Sequence, residues 1–144
     1  MEELREEVLL RGEKLALEYT LKPYTKSVFL NMGTGLVIFA QENRELFRVL
    51  ILESPETRGI LKQFMKSLYA ELGKDEIISQ LPEEDRKEVL RRMGIFSHGL
   101  ASLICVGIHN ELTKNEAMSI MFNMGKDVID VALIKAGIKK SFTA

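Results

Sequence analysis

The run Met93-Gly94-Ile95-Phe96-Ser97-His98-Gly99-Leu100-Ala101-Ser102-Leu103-Ile104-Cys105-Val106-Gly107-Ile108-His109-Asn110 places no charged side chain between Arg92 and Glu111. Its turns around 93–108 are uncharged on every side, and a helix of that kind is buried all round. The next helix opens at Thr113-Lys114-Asn115-Glu116, which has capping-box spacing, and stops near Lys135 before Gly137. At ~100° per residue, Ala117, Met121, Met124 and Val128 cluster on one side of it. Met118, Phe122, Ile129 and Leu133 form a second stripe a quarter-turn or more away, and Ser119, Asn123, Lys126, Asp127 and Asp130 fill the polar arc. The two stripes cover roughly twice the arc of ~100° that one packing partner requires. Burying two such helices in a chain of 144 residues is hard without a second subunit. The economical reading is a homodimer whose last two long helices pair with their twofold mates in a four-helix interface. Gly94, Ala101, Cys105, Met118, Phe122, Ile129 and Leu133 are its expected contact residues, and Gly99, Ser102 and Gly107 add small side chains that let backbones approach. A central core helix in a monomer is the alternative.

Outward from this region the pattern stays helical. There are three prolines, apolar residues recur at spacings of three and four, and no alternating window is long enough for a strand. The expected fold is all-α, one domain over 1–144, with no internal repeat or low-complexity linker. The first helix is predicted over Glu2–Leu21, with Leu4, Val8, Leu15 and Tyr19 on one stripe and early acids complementing the helix dipole. Pro23 ends it. In the second helix Val28, Met32, Leu36 and Phe39 share a face, and Gly33 and Gly35 leave room for a kink or a close helix contact. A short helical piece follows over 45–52. Ser54-Pro55 is a start signal for a helix carrying Ile60, Leu61, Phe64, Leu68 and Leu72 up to Gly73. The segment 74–81 is ambiguous, and Pro82-Glu83-Glu84-Asp85 opens the long helix that leads into the uncharged run.

Composition excludes several functions. Lys+Arg 20 against Asp+Glu 21 leaves no basic excess for a dedicated nucleic-acid surface. With 46% hydrophobic residues, disorder is excluded as well. The lone Cys105 excludes a disulfide framework and a cysteine-built zinc site, and it fits a reducing compartment. The acidic, amphipathic start MEELREEVLL is neither a signal peptide nor a transit peptide. Ser97, His98, Ser102, His109 and Asn110 make the uncharged run a poor membrane span. The expectation is a soluble, cytoplasmic domain with no membrane partner.

No catalytic constellation assembles. On a continuous helix His98 and His109 would share a face but stand ~16 Å apart, too far to hold one metal ion. There is no Glu-x-x-His or His-Glu-x-x-His pattern, and Cys105 lies two turns from His98, too far for a dyad. Gly33-Thr34-Gly35 lacks the spacing of a phosphate loop. The expectation is therefore no enzyme, no metal and no cofactor. Tyr24, Met32, Phe39, Phe64, Met65 and His98 are the candidate lining of an adaptable apolar pocket, with His98 as its polar group. Plain core packing explains the same residue types.

The segment from Met93 to Leu103, with His98-Gly99-Leu100-Ala101 at its centre, resembles a His-Gly-Leu-Ala segment in a C-terminal domain of TetR-type transcriptional regulators. That family often carries tryptophan shortly before the histidine; here Gly94 to Phe96 occupy the region. The run Phe39-Ala40-Gln41-Glu42-Asn43-Arg44-Glu45-Leu46-Phe47-Arg48 is similar to a second family segment, an aromatic-Ala pair closing one helix and a Leu-aromatic-Arg group in the next. The resemblance spans 24–137. It implies an all-α domain that dimerises through its last two long helices and encloses a pocket for an apolar or aromatic small-molecule effector. Such regulators begin with a helix-turn-helix that reads DNA, and nothing in these residues matches it, so the chain as written is not expected to bind an operator. The second expectation is a stand-alone helical dimerisation or protein-interaction module without a small ligand.

Overall fold

The computed structural model describes residues 1–53 and 58–143, together with the backbone but not the side chains of 58–61 and Phe64. The expected cap at Ser54-Pro55 and the packing of Ile60, Leu61 and Phe64 lie outside the described residues. The described residues are helical and contain no strand: α1 (Glu2–Leu21), α2 (Val28–Glu42), α3 (Arg44–Phe47) running into a π-helical turn (Arg48–Glu53), α4 (Arg58–Leu72), a 3₁₀ turn (Ile78–Gln80), α5 (Glu83–Cys105) and α6 (Lys114–Lys135). None of these helices is long and apolar enough to cross a membrane.

The helix buried nearly all round is α2, not α5. From Ser27 to Gln41 it has no charged side chain, and Phe29, Leu30, Met32, Val37, Ile38 and Phe39 are all buried. It is enclosed because α1 packs along one side of it and α5 and α6 along others. Its approach to α1 runs through Gly35: a β-carbon there would stand 2.6 Å from the Thr20 Cα. The stripe that α1 buries is Leu9, Gly12, Ala16 and Thr20, not the one expected from the sequence, since Leu4 and Val8 are exposed.

The ambiguous segment 74–81 holds the fold's buried carboxylate. Asp75 accepts from the Ser27 hydroxyl at 2.7 Å and the Phe29 N–H at 3.4 Å at the start of α2. Its other oxygen accepts from the Ile77 and Ile78 N–H groups at 3.0 and 3.1 Å. One side chain thus satisfies unpaired donors of two elements far apart in sequence.

Helix α5 buries one stripe, Val89, Met93, Ser97, Ala101 and Ile104, and leaves Ile95, Leu103 and Val106 exposed beside it. It ends at a Schellman turn on Gly107 (φ 93°), where Ile108 N–H reaches the Leu103 carbonyl at 2.8 Å. His109 therefore lies in a left-handed turn (φ 62°) and does not continue the face of His98. Helix α6 opens with the capping box between Thr113 and Glu116 and ends at a second Schellman turn on Gly137.

The stripe that α6 buries in its own chain is Ala117, Met121, Gly125, Ile129 and Leu133. Steps of four residues keep these side chains along one inclined ridge, so Ile129 and Leu133 belong with Ala117 and Met121 rather than to a separate outward stripe. The chain's own tail covers Phe122: the buried Phe142 ring lies 5.8 Å from it. Phe142 N–H donates to Asp130 Oδ1 at 2.8 Å, and Lys126 Nζ bonds Asp130 Oδ2 and the Ser141 hydroxyl, each at 2.6 Å. Burial pushes the Asp130 carboxyl up, but Lys126, the Phe142 N–H and Ser141 together outweigh it and hold its pKa low.

Candidate functional site

A cleft of about 650 Å³ opens between α2, α4, α5 and the π-helical turn. That volume is in the range of small-molecule sites. Helix α2 supplies Phe29, Met32 and Leu36, because the i, i+3, i+7 rhythm turns these three toward α5. The opposite wall is Met65 and Leu68 of α4, and Ile51 closes the end at the π-helical turn. The floor and rim come from α5, with Met93, Gly94, Ser97, His98 and Gly99. Gly94 and Gly99 widen the cleft, since a β-carbon on either would meet nothing within 4 Å.

The lining is almost wholly apolar. Its polar members among the described residues are Arg91, Ser97 and His98. Arg91 is already engaged, with Nε and Nη2 each 2.8 Å from the Glu88 carboxylate. Ser97 Oγ lies 3.3 Å from the Gly94 carbonyl within its own helix. The His98 ring packs at a tilt on Phe47, centroids 6.2 Å apart, and neither ring nitrogen has a hydrogen-bond partner among the described residues. It stands at the rim, where it still reaches solvent, and the apolar atoms around it push its pKa below the ordinary 6.5.

Of the six residues the sequence offered as pocket lining, Met32, Met65 and His98 come together in this cleft. Phe64's side chain lies outside the described residues. Phe39 is wholly buried core, edge-on to Tyr19 at 5.5 Å and tilted against Phe47 at 6.4 Å. Tyr24 is in a different, polar hollow of about 280 Å³ with Glu18, Glu42 and Lys114. There Tyr19 donates to Glu42 at 2.5 Å and Lys114 pairs with the same carboxylate at 2.8 Å, tying α1, α2 and α6 together. The Lys114 and Tyr19 hydrogen bonds hold the Glu42 carboxyl below its usual range, and Glu42 in turn raises the Tyr19 hydroxyl.

The expected interface residues scatter. Ala101, Ile129 and Leu133 are fully buried within their own chain and have no surface to offer a second copy. Gly94 lines the cleft. Cys105 is half-buried with its thiol 3.5 Å from the Arg44 carbonyl, Met118 is half-buried, and Phe122 lies under Phe142. The outward apolar residues of the last two helices are instead Ile95 at the edge of the cleft, Leu103 and Val106 on α5 and its cap, and Val131 and Ile134 on α6. Among the described residues, no group of three or more His, Cys, Asp or Glu side chains is placed to hold a metal ion. Phe29, Leu36 and Ile51 were missed as lining residues; the period of α2 already put Leu36 on the face of Met32. No family model, curated protein or solved structure matches the chain.

Proposed function

We propose that the chain is a ligand-sensing, homodimerising helical domain of the kind that the resemblance to TetR-type regulators implies. The observation that carries this reading is the α2–α4–α5 cleft, a space of about 650 Å³ whose described lining is almost wholly apolar and whose rim holds the His98 imidazole, unengaged by the described residues. A molecule wedged between α2 and α5 acts on the helix that touches α1 through Gly35 and Thr20. It would bias the chain between two helix arrangements to the extent that it binds one better than the other. The dimer surface is the uncharged outward face at the end of α5, where Leu103 and Val106 are 41% and 67% exposed.

The cleft is tested by filling it. A β-carbon on Gly94 meets nothing within 4 Å and the substitution relieves a helical glycine, so Gly94→Phe should fold about as stably as the parent with its ring in the cleft. A thermal-shift panel of apolar and aromatic compounds should raise the melting temperature of the parent and leave Gly94→Phe unmoved. A panel silent on the parent sinks the ligand reading. A stable dimer without any ligand response favours the second reading, a dimerisation module alone.

A further inference from the structure

We propose that the cleft takes an uncharged, mostly apolar molecule with a single hydrogen-bonding group, which the His98 imidazole holds at the rim. This rests on the cleft being a ligand site and adds what the ligand must be. Charge decides first. Among the described lining residues Arg91 is the one formally charged side chain, and its Nε and Nη2 each lie 2.8 Å from the Glu88 carboxylate. Glu88 already neutralises Arg91, so an anion would meet no net positive charge from the described lining, and a cation would find no carboxylate among those lining residues. Leaving an ionised group in apolar surroundings without a partner costs far more than burying a hydroxyl that keeps one.

The hydrogen-bonding capacity decides next. Ser97 is turned to its own helix at Gly94. His98 is the remaining polar side chain of the described lining, and its ring nitrogens are unengaged by the described residues. A neutral imidazole presents one donor and one acceptor. It therefore matches a hydroxyl or a carbonyl on a ligand whose body lies against Met32, Leu36, Met65 and Leu68. Burial holds the ring's pKa below 6.5, so the neutral form prevails at pH 7.5.

Calorimetric titration with naphthalene, 1-naphthol and 1-naphthoate at pH 7.5 separates the possibilities, because the three share one apolar body. The parent should bind 1-naphthol about tenfold more tightly than naphthalene, the worth of one hydrogen bond. It should bind 1-naphthoate at least about tenfold more weakly than 1-naphthol. His98→Leu should bring 1-naphthol down to the affinity of naphthalene and leave naphthalene unchanged, while His98→Gln should keep part of the difference. Naphthoate binding as tightly as naphthol overturns the inference and leaves the ligand site standing. A naphthol advantage that survives His98→Leu does the same. Binding of none of the three removes the site itself. Binding seen only on dilution to monomer shows a second copy filling the cleft, and overturns the inference as well.

Discussion

Gly35 meets the backbone of Tyr19: a β-carbon on Gly35 would stand 2.5 Å from the Tyr19 carbonyl carbon and closer still to its oxygen. No rotamer change can relieve a clash with main chain, so Gly35→Ala must push α1 away from α2. The expected loss is about 3 kcal/mol, the upper part of the range for overpacking. Gly33, two residues earlier, faces the tip of the flexible Met121, with the Ser97 Cβ at an ordinary 3.8 Å. Gly33→Ala should change stability by less than about 1 kcal/mol, because the gain in helix propensity offsets the Met121 adjustment. Urea denaturation of the two variants checks the contrast. Equal losses would mean that the α1–α2 contact is not set by Gly35.

Removing the Asp75 carboxylate orphans donors at the start of α2 and in the 3₁₀ turn. Asp75 is 5% exposed, so little water can take its place. Asp75→Ala should cost about 2–3 kcal/mol, and Asp75→Asn, which keeps an acceptor, about half of that. Both are read from the midpoint of chemical unfolding at constant slope.

His98 gives the stability a pH dependence of known sign. Burial lowers its pKa in the folded chain, so the unfolded chain binds the proton more tightly. Its contribution is fully present above 6.5 and is lost as pH falls through the lower, folded value. Glu13, whose carboxyl burial raises, acts in the opposite direction but equally in both proteins. The difference in stability between the parent and His98→Gln, followed from pH 7.5 to 5, therefore isolates the imidazole. The parent should lose ground to the variant as the pH drops, and a flat difference would contradict the partial desolvation of the ring.

For the proposed dimer the sharp substitution is at Val106, the 67% exposed cap of α5. An unpaired charge there costs little in a monomer and about 3 kcal/mol or more once it is covered. Light scattering should give the parent twice the chain mass of 16.4 kDa and give Val106→Glu the single mass, with the thermal stability of the monomer retained. A parent of single mass at micromolar concentration sinks the dimer.

The start and the stop of α6 were legible in the sequence. The Thr113–Glu116 box and the Gly137 stop involve partners a few residues apart, so their spacing alone specifies the hydrogen bonds. The same holds for the reading of the chain as helical throughout. Asp75 was not legible, because its partner Ser27 is 48 residues away and no local pattern marks it. The site was legible in half: Met32, Met65 and His98 fall in one cleft, while Phe39 and Tyr24 turn to other surroundings.

Two uncharged runs, 27–41 and 93–110, read alike in the sequence, yet only the first is enclosed. Periodicity fixes which side chains share a face, because that follows from the turn angle of the helix. It does not say which neighbour covers the face, because that depends on segments distant along the chain. The amino-acid order thus determined an all-helical chain, its caps and its uncharged faces. Only the packing of α1, α5 and α6 around α2 decided that Ile129 and Leu133 turn inward, that Phe142 covers Phe122, and that the space beside His98 stays open.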